Sequence, residues 1–377
     1  MMSTSDSPPE QTAFKYWFDA KAASQLAKQF SKVYPDFDRK KFLRLAKKDL
    51  NSLEFQARIR QFAAALAGTL PHNIPEALRI LIDSLPPAQT DCETLSDGWL
   101  QWPLGYYISD YAIDHFEESM EAMTELTTRF SSEFAVRPFI ETYPKQTLAA
   151  LKKLSSSPNP HVRRWTSEGS RPRLPWGKKL HHLIADPSPA LPILEALKDD
   201  NELYVRRSVA NHLNDIAKDH PDLVVSICKR WMKNANPNRS WLVKHSLRTL
   251  IKDGHPGALA VLGFGPPTRI EATLRLDQAK ISIGESVQLT AQLKSSQSRT
   301  QKLVVDYAVH YVRKGGKSSV KVFKWKTFEI PAGESIDIGK RHSMKVTTIR
   351  ALYPGLHHIE LQVNGVRMAS SHFELLQ

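Results

Sequence analysis

Cysteine is nearly missing from these 377 residues. Cys92 and Cys228 are its only two representatives, too far apart in sequence for a disulfide framework or a metal knuckle. The 14 histidines fall in no HExxH or comparable ligand spacing, which argues against a structural or catalytic metal and leaves no cofactor expected. Apolar runs of about eighteen residues are absent too, so no helix is expected to span a membrane. The opening MMSTSDSPPEQT has neither the basic nor the apolar region of a secretory signal. Residues 1–11 read as a disordered N-terminus, and the protein as cytoplasmic.

What is present is mostly ordinary in amount. A hydrophobic share of 41% and a charged share of 24% describe a globular chain, with length for about two or three domains. Charge balance is the exception. The net +13 implies a polyanionic partner, either nucleic acid or an anionic membrane surface. From Thr268 to Gln377 there are 17 Lys and Arg against 9 Asp and Glu, a net of +8; the remaining residues carry 35 against 30, a net of +5. The C-terminal part is the more basic.

Two periodicities divide the chain. From 12 to 262 it reads as successive helices, beginning with KYWFDAKAASQLAKQFSKVY and RKKFLRLAKKDL, where Phe42, Leu45 and Ala46 share one side. The breaks TLPHNIP, SLPPAQT, YPKQ, SSSPNP and NANPNRS carry Pro and Asn, and several place Ser or Asn where a helix begins. PHVRRWTSEG at 160–169 is echoed by LYVRRSVANHLNDIAKDHP at 203–221, a step of 43 residues, and more weakly by WLVKHSLRTLIKDGHP from Trp241. Steps near 40 match helical-pair repeats of the HEAT type, stacked into a curved solenoid with a concave surface. After the linker GFGPPT (263–268) the period becomes two: Val287, Leu289, Ala291 and Leu293 alternate with polar residues. Asn364-Gly365 reads as a hairpin turn and RKGGK as a second hairpin tip. About seven short strands over 269–377 predict an immunoglobulin-like β-sandwich.

One stretch resists a bland reading. HVRRWTSEGSRPRLPW gathers four arginines, one carboxylate and two tryptophans. Helical spacing places Arg164, Glu168 and Arg171 on one polar stripe, with Pro172 and Pro175 ending the helix and Trp176 left between Pro and Gly. An indole there is poorly placed for core and well placed to lie against a sugar or base. On VRRSVANHLNDIAK, Val205, Val209, Leu213 and Ile216 form an apolar stripe, and Arg207, Asn211, Asp215 and Lys218 a polar one. On this helix alone a solvated face with a weak Arg–Asp pair is the favoured reading. In SSEFAVRPFIETYP, Ser131 or Ser132 is expected to cap a helix with Glu133 in its first turn, a common position for a carboxylate of no further role. The basic run Lys40, Lys41, Arg44, Lys47 and Lys48 fits phosphate binding or a solvated face.

Together SSEFAVRPFIETYP, NPHVRRWTSEGSRPRLPW and YVRRSVANHLNDIAKDHP closely resemble the AlkC family of bacterial DNA alkylation repair glycosylases, relatives of the AlkD enzymes. The basic tail is similar to the immunoglobulin-like domain appended in some members. The resemblance implies a monofunctional glycosylase of base excision repair. It would release cationic bases, 3-methyladenine and 3-methylcytosine, from duplex DNA without a deep base-flipping pocket. By matching position, Glu133 and Glu168 correspond to the family's active-site carboxylates, Trp176 to an aromatic residue facing the lesion's sugar, and Asp215 to a further acidic residue. Arg164 and Arg171 look like backbone-binding residues. Arg207 and, at the RKGGK tip, Lys314 and Lys317 complete the DNA-binding candidates. The implied partner is duplex DNA containing alkylated bases, bound by a monomer with no membrane involved and at the nucleoid. Two rival readings remain at this level: a non-catalytic repeat protein that binds damaged DNA, and a HEAT-type protein scaffold.

Overall fold

The computed structural model describes residues 14–89, 95–346 and 351–377. The expected disorder of 1–11 and the residue Cys92 lie outside the described residues. Sixteen α-helices are described: α1 (Ala20–Ser31), α2 (Arg39–Ala46), α3 (Phe55–Ala67), α4 (Ile74–Ser84), α5 (Trp102–Tyr111), α6 (Phe116–Thr127), α7 (Val136–Thr142), α8 (Pro144–Leu154), α9 (Pro160–Gly169), α10 (His181–Ala185), α11 (Leu191–Leu197), α12 (Leu203–Ile216), α13 (Pro221–Met232), α14 (Pro237–Ser246), α15 (Arg248–Lys252) and α16 (Pro256–Val261). Eight strands follow: β1 (Ile270–Leu276), β2 (Lys280–Ser282), β3 (Ser286–Ser295), β4 (Gln301–Val312), β5 (Ser318–Ile330), β6 (Ser335–Ser343), β7 (Gly355–Val363) and β8 (Val366–Leu376). The chain is helical and then β-sheet. None of the described helices is long and apolar enough to cross a membrane.

The Asn-Pro breaks work as helix starts. The Asn159 side chain accepts from the His161 N–H at 2.8 Å and that of Asn236 from the Arg239 N–H at 2.8 Å, each with Pro in the first helical turn. Other expectations need correction. The first apolar segment is not one helix: Asp19 accepts the Ala22 N–H and starts α1 only at Ala20, after a short 3₁₀ turn at Phe14–Trp17. Helix α9 stops at Gly169, short of the prolines. Arg171 therefore lies beyond the helix end, where Pro172 disfavours helical backbone, yet its side chain still joins the α9 polar stripe, Nη1 donating to Glu168 Oε1 at 2.6 Å. Gly169 is required there because a β carbon would stand 2.6 Å from Val136 Cγ1. Ser131 and Ser132 do not cap α7. A turn through Glu133, Phe134 and Ala135 intervenes, and the Ser132 hydroxyl bonds the Met123 carbonyl instead.

The chain divides into two compact units, the first ending at Asp219 and the second beginning at His220. In the first, α12 packs directly on α9. The predicted apolar stripe of α12 is fully internal, with Val205, Val209 and Leu213 at 0% exposure. In the second, β1-β3-β6 and β2-β8-β7-β4-β5 form two sheets, with Val287, Leu289, Ala291 and Leu293 facing a shared core that also holds Val305, Val309, Ile359 and Leu361. Asn364 (φ 46°) and Gly365 (φ 77°) make the β7–β8 turn with two left-handed residues, as the sequence predicts. Gly315 and Gly316, at φ 80° and 77°, turn the β4–β5 hairpin. The last four helices belong to this second unit. Leu259 and Phe264 pack on Val304 of β4, and Asn364 Nδ2 donates to the Gly265 carbonyl at 2.7 Å.

Candidate active site

Within the first unit, the connection before α7, the body of α9 and the loop after it meet the first residue of α5 and the second of α12 at one open cleft of about 420 Å³. Its polar lining is Ser131, Glu133, Arg164 and Glu168; its aromatic lining includes Trp102, Phe134, Trp176 and Tyr204. Residues from four separate stretches of sequence therefore share one surface.

Arg164 ties the carboxylates together. Its guanidinium is ion-paired to Glu133, lies 3.5 Å from Glu168 Oε1, donates to Ser131 Oγ at 3.2 Å and sits over the Tyr204 ring at 5.3 Å. The Ser131 hydroxyl donates in turn to Glu133 Oε2 at 2.8 Å. Glu168 is only 6% exposed and fully engaged: Arg171 Nη1 donates to Oε1 at 2.6 Å and the Ser208 hydroxyl to Oε2 at 2.6 Å. Burial by itself raises the pKa of Glu168, but Arg164 and Arg171 outweigh it and leave the group below the ordinary carboxylate value. Burial likewise opposes the charge on Arg164 and Arg171, and the facing carboxylates override it, so both stay cationic.

Behind the cleft the network continues inward. Arg171 Nε donates to Asp215 Oδ2 at 2.8 Å, and Lys218 Nζ reaches Asp215 Oδ1 at 3.3 Å. Arg171 and Asp215 are 7% and 3% exposed and are not among the residues that line the cleft. The polar stripe expected on α12 is thus split: Asp215 is buried beneath Arg171, whereas Arg207 and Lys218 are exposed. Lys314 and Lys317 are exposed at the β4–β5 turn of the second unit, and Lys40, Lys41, Arg44, Lys47 and Lys48 are exposed on or just after α2.

Trp176 is the unusual member. It is 71% exposed and its backbone is left-handed, φ 62°, a conformation costing a bulky residue about 1–3 kcal/mol and found disproportionately at functional sites. Two backbone bonds hold the loop, Gly177 N–H to the Leu174 carbonyl and Leu180 N–H to the Pro172 carbonyl, each 3.1 Å. The buried Arg137 of α7 clamps it: Nε donates to the Lys178 carbonyl at 2.6 Å, and Nη1 to those of Gly169 and Arg171 at 2.9 Å. Burial brings the Arg137 guanidinium down to about 10, still charged at neutral pH.

Comparison with known proteins bears on this arrangement. A family model described as the C-terminal Ig-like domain of uncharacterised protein YhaZ matches residues 271–377. The chain is 38% identical over 360 residues to uncharacterized protein YhaZ of Bacillus subtilis (strain 168), covering 95% of this chain and 98% of that one. The solved structure of Pseudomonas fluorescens alkylpurine DNA glycosylase AlkC, bound to DNA containing an abasic site analog, superposes with a TM-score of 0.87 at 39% identity, covering 97% of this chain and all of that one. The chain belongs to the AlkC family. In this AlkC-family chain, sequence reasoning reached Glu133, Arg164, Glu168 and Trp176 of the cleft lining but not Ser131 or Tyr204, and it missed the cleft's supports. Arg137, Ser208 and His212 carry no motif. Their partners stand 32 to 45 residues away, and Arg137 and His212 bond main-chain carbonyls. His212 Nδ1 lies 3.0 Å from the Ser167 carbonyl, and burial pushes the ring down to about 3, so it joins α12 to α9 as a neutral group. Among the described residues no group of three or more His, Cys, Asp or Glu is placed to hold a metal ion.

Proposed function

We propose that this chain is a DNA glycosylase of alkylation base excision repair that hydrolyses the N-glycosidic bond of cationic bases, 3-methyladenine and 3-methylcytosine, in duplex DNA. One observation carries the reading: Glu133, Glu168 and the exposed Trp176 line a single open cleft. The residue types suit the reaction. A base alkylated at N3 already carries positive charge and departs without a general acid. The remaining barrier is the cation that grows on the deoxyribose, the oxocarbenium problem of glycoside hydrolysis. The two carboxylates stabilise that cation and orient the attacking water, and the indole face adds about 1 kcal/mol. Because Glu168 stays below the ordinary carboxylate range it is ionised at neutral pH, as electrostatic stabilisation requires.

Arg164 has a second task in this scheme. It holds both carboxylates, and a guanidinium at an open cleft is also a donor for a phosphate. DNA entry would draw it toward the backbone and uncover negative charge where the sugar cation forms. Arg171 and Asp215, being buried, act in this reading through Glu168 rather than by direct contact. Arg207, Lys314 and Lys317 supply phosphate contacts. The enzyme is monofunctional, works as a cytoplasmic monomer, needs no cofactor and leaves the base outside any deep pocket. Its catalytic residues fall within the 12–262 helical span, built as HEAT-like repeats. Incubation with methylated duplex DNA should release free 3-methyladenine, and Glu133→Gln should lower release by about 100-fold or more while retaining DNA affinity. Binding without release by the unaltered chain would favour a non-catalytic damage reader; binding insensitive to salt would remove DNA as the partner.

A further inference from the structure

The second unit contains a cavity of about 310 Å³ that shares no residue with the carboxylate cleft. It lies where α14 and α15 pack against the β4–β5 face of the sandwich. Its chemistry is lopsided. Lys244, Arg248 and Lys252 come from the helices and Lys324 from β5, against a single carboxylate, Asp306 of β4. The cavity walls are also apolar, with Ile251 and Val304 beside the indole of Trp241. That indole stacks on His245 one helical turn away, ring centroids 5.0 Å apart and planes within 9°, which fixes its orientation. The β4–β5 register shifts between Val305 and Asp306 at this point; burial raises the Asp306 carboxyl to about 6, and Lys324 and Lys252 only partly oppose it.

Size and charge together restrict the occupant. A lone oxyanion would leave most of the volume and all of the apolar wall unused, since one water's share is about 30 Å³. An uncharged aromatic would leave Lys252 and Lys324 facing only the Asp306 carboxyl. A planar ring joined to a phosphate satisfies both, and bases stack on indole irrespective of sequence. We propose that this cavity is a second, non-catalytic site that binds a nucleotide, its base against Trp241 and its phosphate between Lys252 and Lys324. The assignment does not depend on base release, so either reading can fail without the other.

Calorimetric titration of the full-length protein tests it with four probes: adenosine 5′-monophosphate, adenosine, inorganic phosphate, and a short undamaged duplex with one unpaired terminal nucleotide beside its blunt counterpart. The monophosphate or the overhang should bind. The double variant Lys252→Glu, Lys324→Glu should weaken that binding by about tenfold or more, and adenosine and phosphate should each bind about tenfold more weakly than the monophosphate. Both lysines are exposed, so their reversal tests the charge without disturbing the core, and Trp241→Phe should retain part of the affinity that Trp241→Ala loses. Binding of the free monophosphate assigns a mononucleotide ligand; preference for the overhang over the blunt end without free monophosphate binding assigns a strand nucleotide, and either upholds the site. Absence of binding by both probes, phosphate binding as strong as that of the monophosphate, or affinity untouched by the lysine double variant would overturn it.

Discussion

Helices α9 and α12 open with the same Val-Arg-Arg, and the structure uses the two arginines of each pair in opposite ways. The first is scaffold in both. Arg163 Nη1 donates to the carbonyls of Ser157 and Pro158, six and five residues back, and Arg206 Nη1 donates to those of Asp200 and Asn201 at the same offsets. Each pins the turn that feeds its own helix. The second arginine diverges: Arg164 is inside the carboxylate network, whereas Arg207 is exposed. The same 43-residue step carries Glu168 onto Asn211, so the catalytic candidate occurs on only one of the two helices. The position that closes the turn is shared by the two helices, and the one beside it differs.

The largest expected effect comes from making α9 resemble α12. Glu168→Asn should reduce base release by about 100-fold or more, read by single-turnover excision, and the reciprocal Asn211→Glu should not restore it. The unaltered enzyme should show no acid limb from Glu168 between about pH 5 and 8. Its native pKa is depressed, so the stabilisation it brings is complete above the ordinary value of 4.5 and is lost only as pH falls through the lower native value. Next, Arg206→Ala should cost about 2 kcal/mol in chemical denaturation, because two carbonyls lose a charged donor. Trp176→Gly should lower excision by about tenfold yet raise stability by about 1 kcal/mol, since glycine accepts the left-handed backbone freely. Loss of stability there would mean that the indole holds the loop. Smallest is Arg207→Ala, expected to leave stability within about 0.5 kcal/mol and to reduce the salt slope of DNA binding by about one.

How far the sequence reached depends on how local each cause is. The Asn-Pro helix starts, the period-two strands and the Asn-Gly turn are set by a few adjacent residues and were readable. Trp176 was readable because Pro and Gly on either side exclude an ordinary core position. Glu133 was not readable from residue physics alone. Its neighbours describe a commonplace helix-entry carboxylate, and its place in the cleft network arises from Arg164, 31 residues away. Asp215 was misplaced on a solvated stripe because helical spacing reports faces, not what covers them; here the covering group is Arg171, 44 residues earlier. Arg137 escaped notice for a related reason: it recognises main chain, which leaves no side-chain pattern to find.

Gly254, in the turn between α15 and α16, and Gly365, in the β7–β8 turn, stand so close that a methyl built on Gly254 would fall 2.8 Å from the Gly365 carbonyl oxygen. Alanine at either glycine would also meet the penalty of a left-handed backbone, so two separate costs protect the same junction. A gene shortened at the Gly-Pro segment would encode a product still bearing α13–α16, with the flank that normally meets the hairpin left bare. Loss of the strands in descent would therefore call for redesign of that flank, and a stop codon alone would be a poor route to a smaller protein.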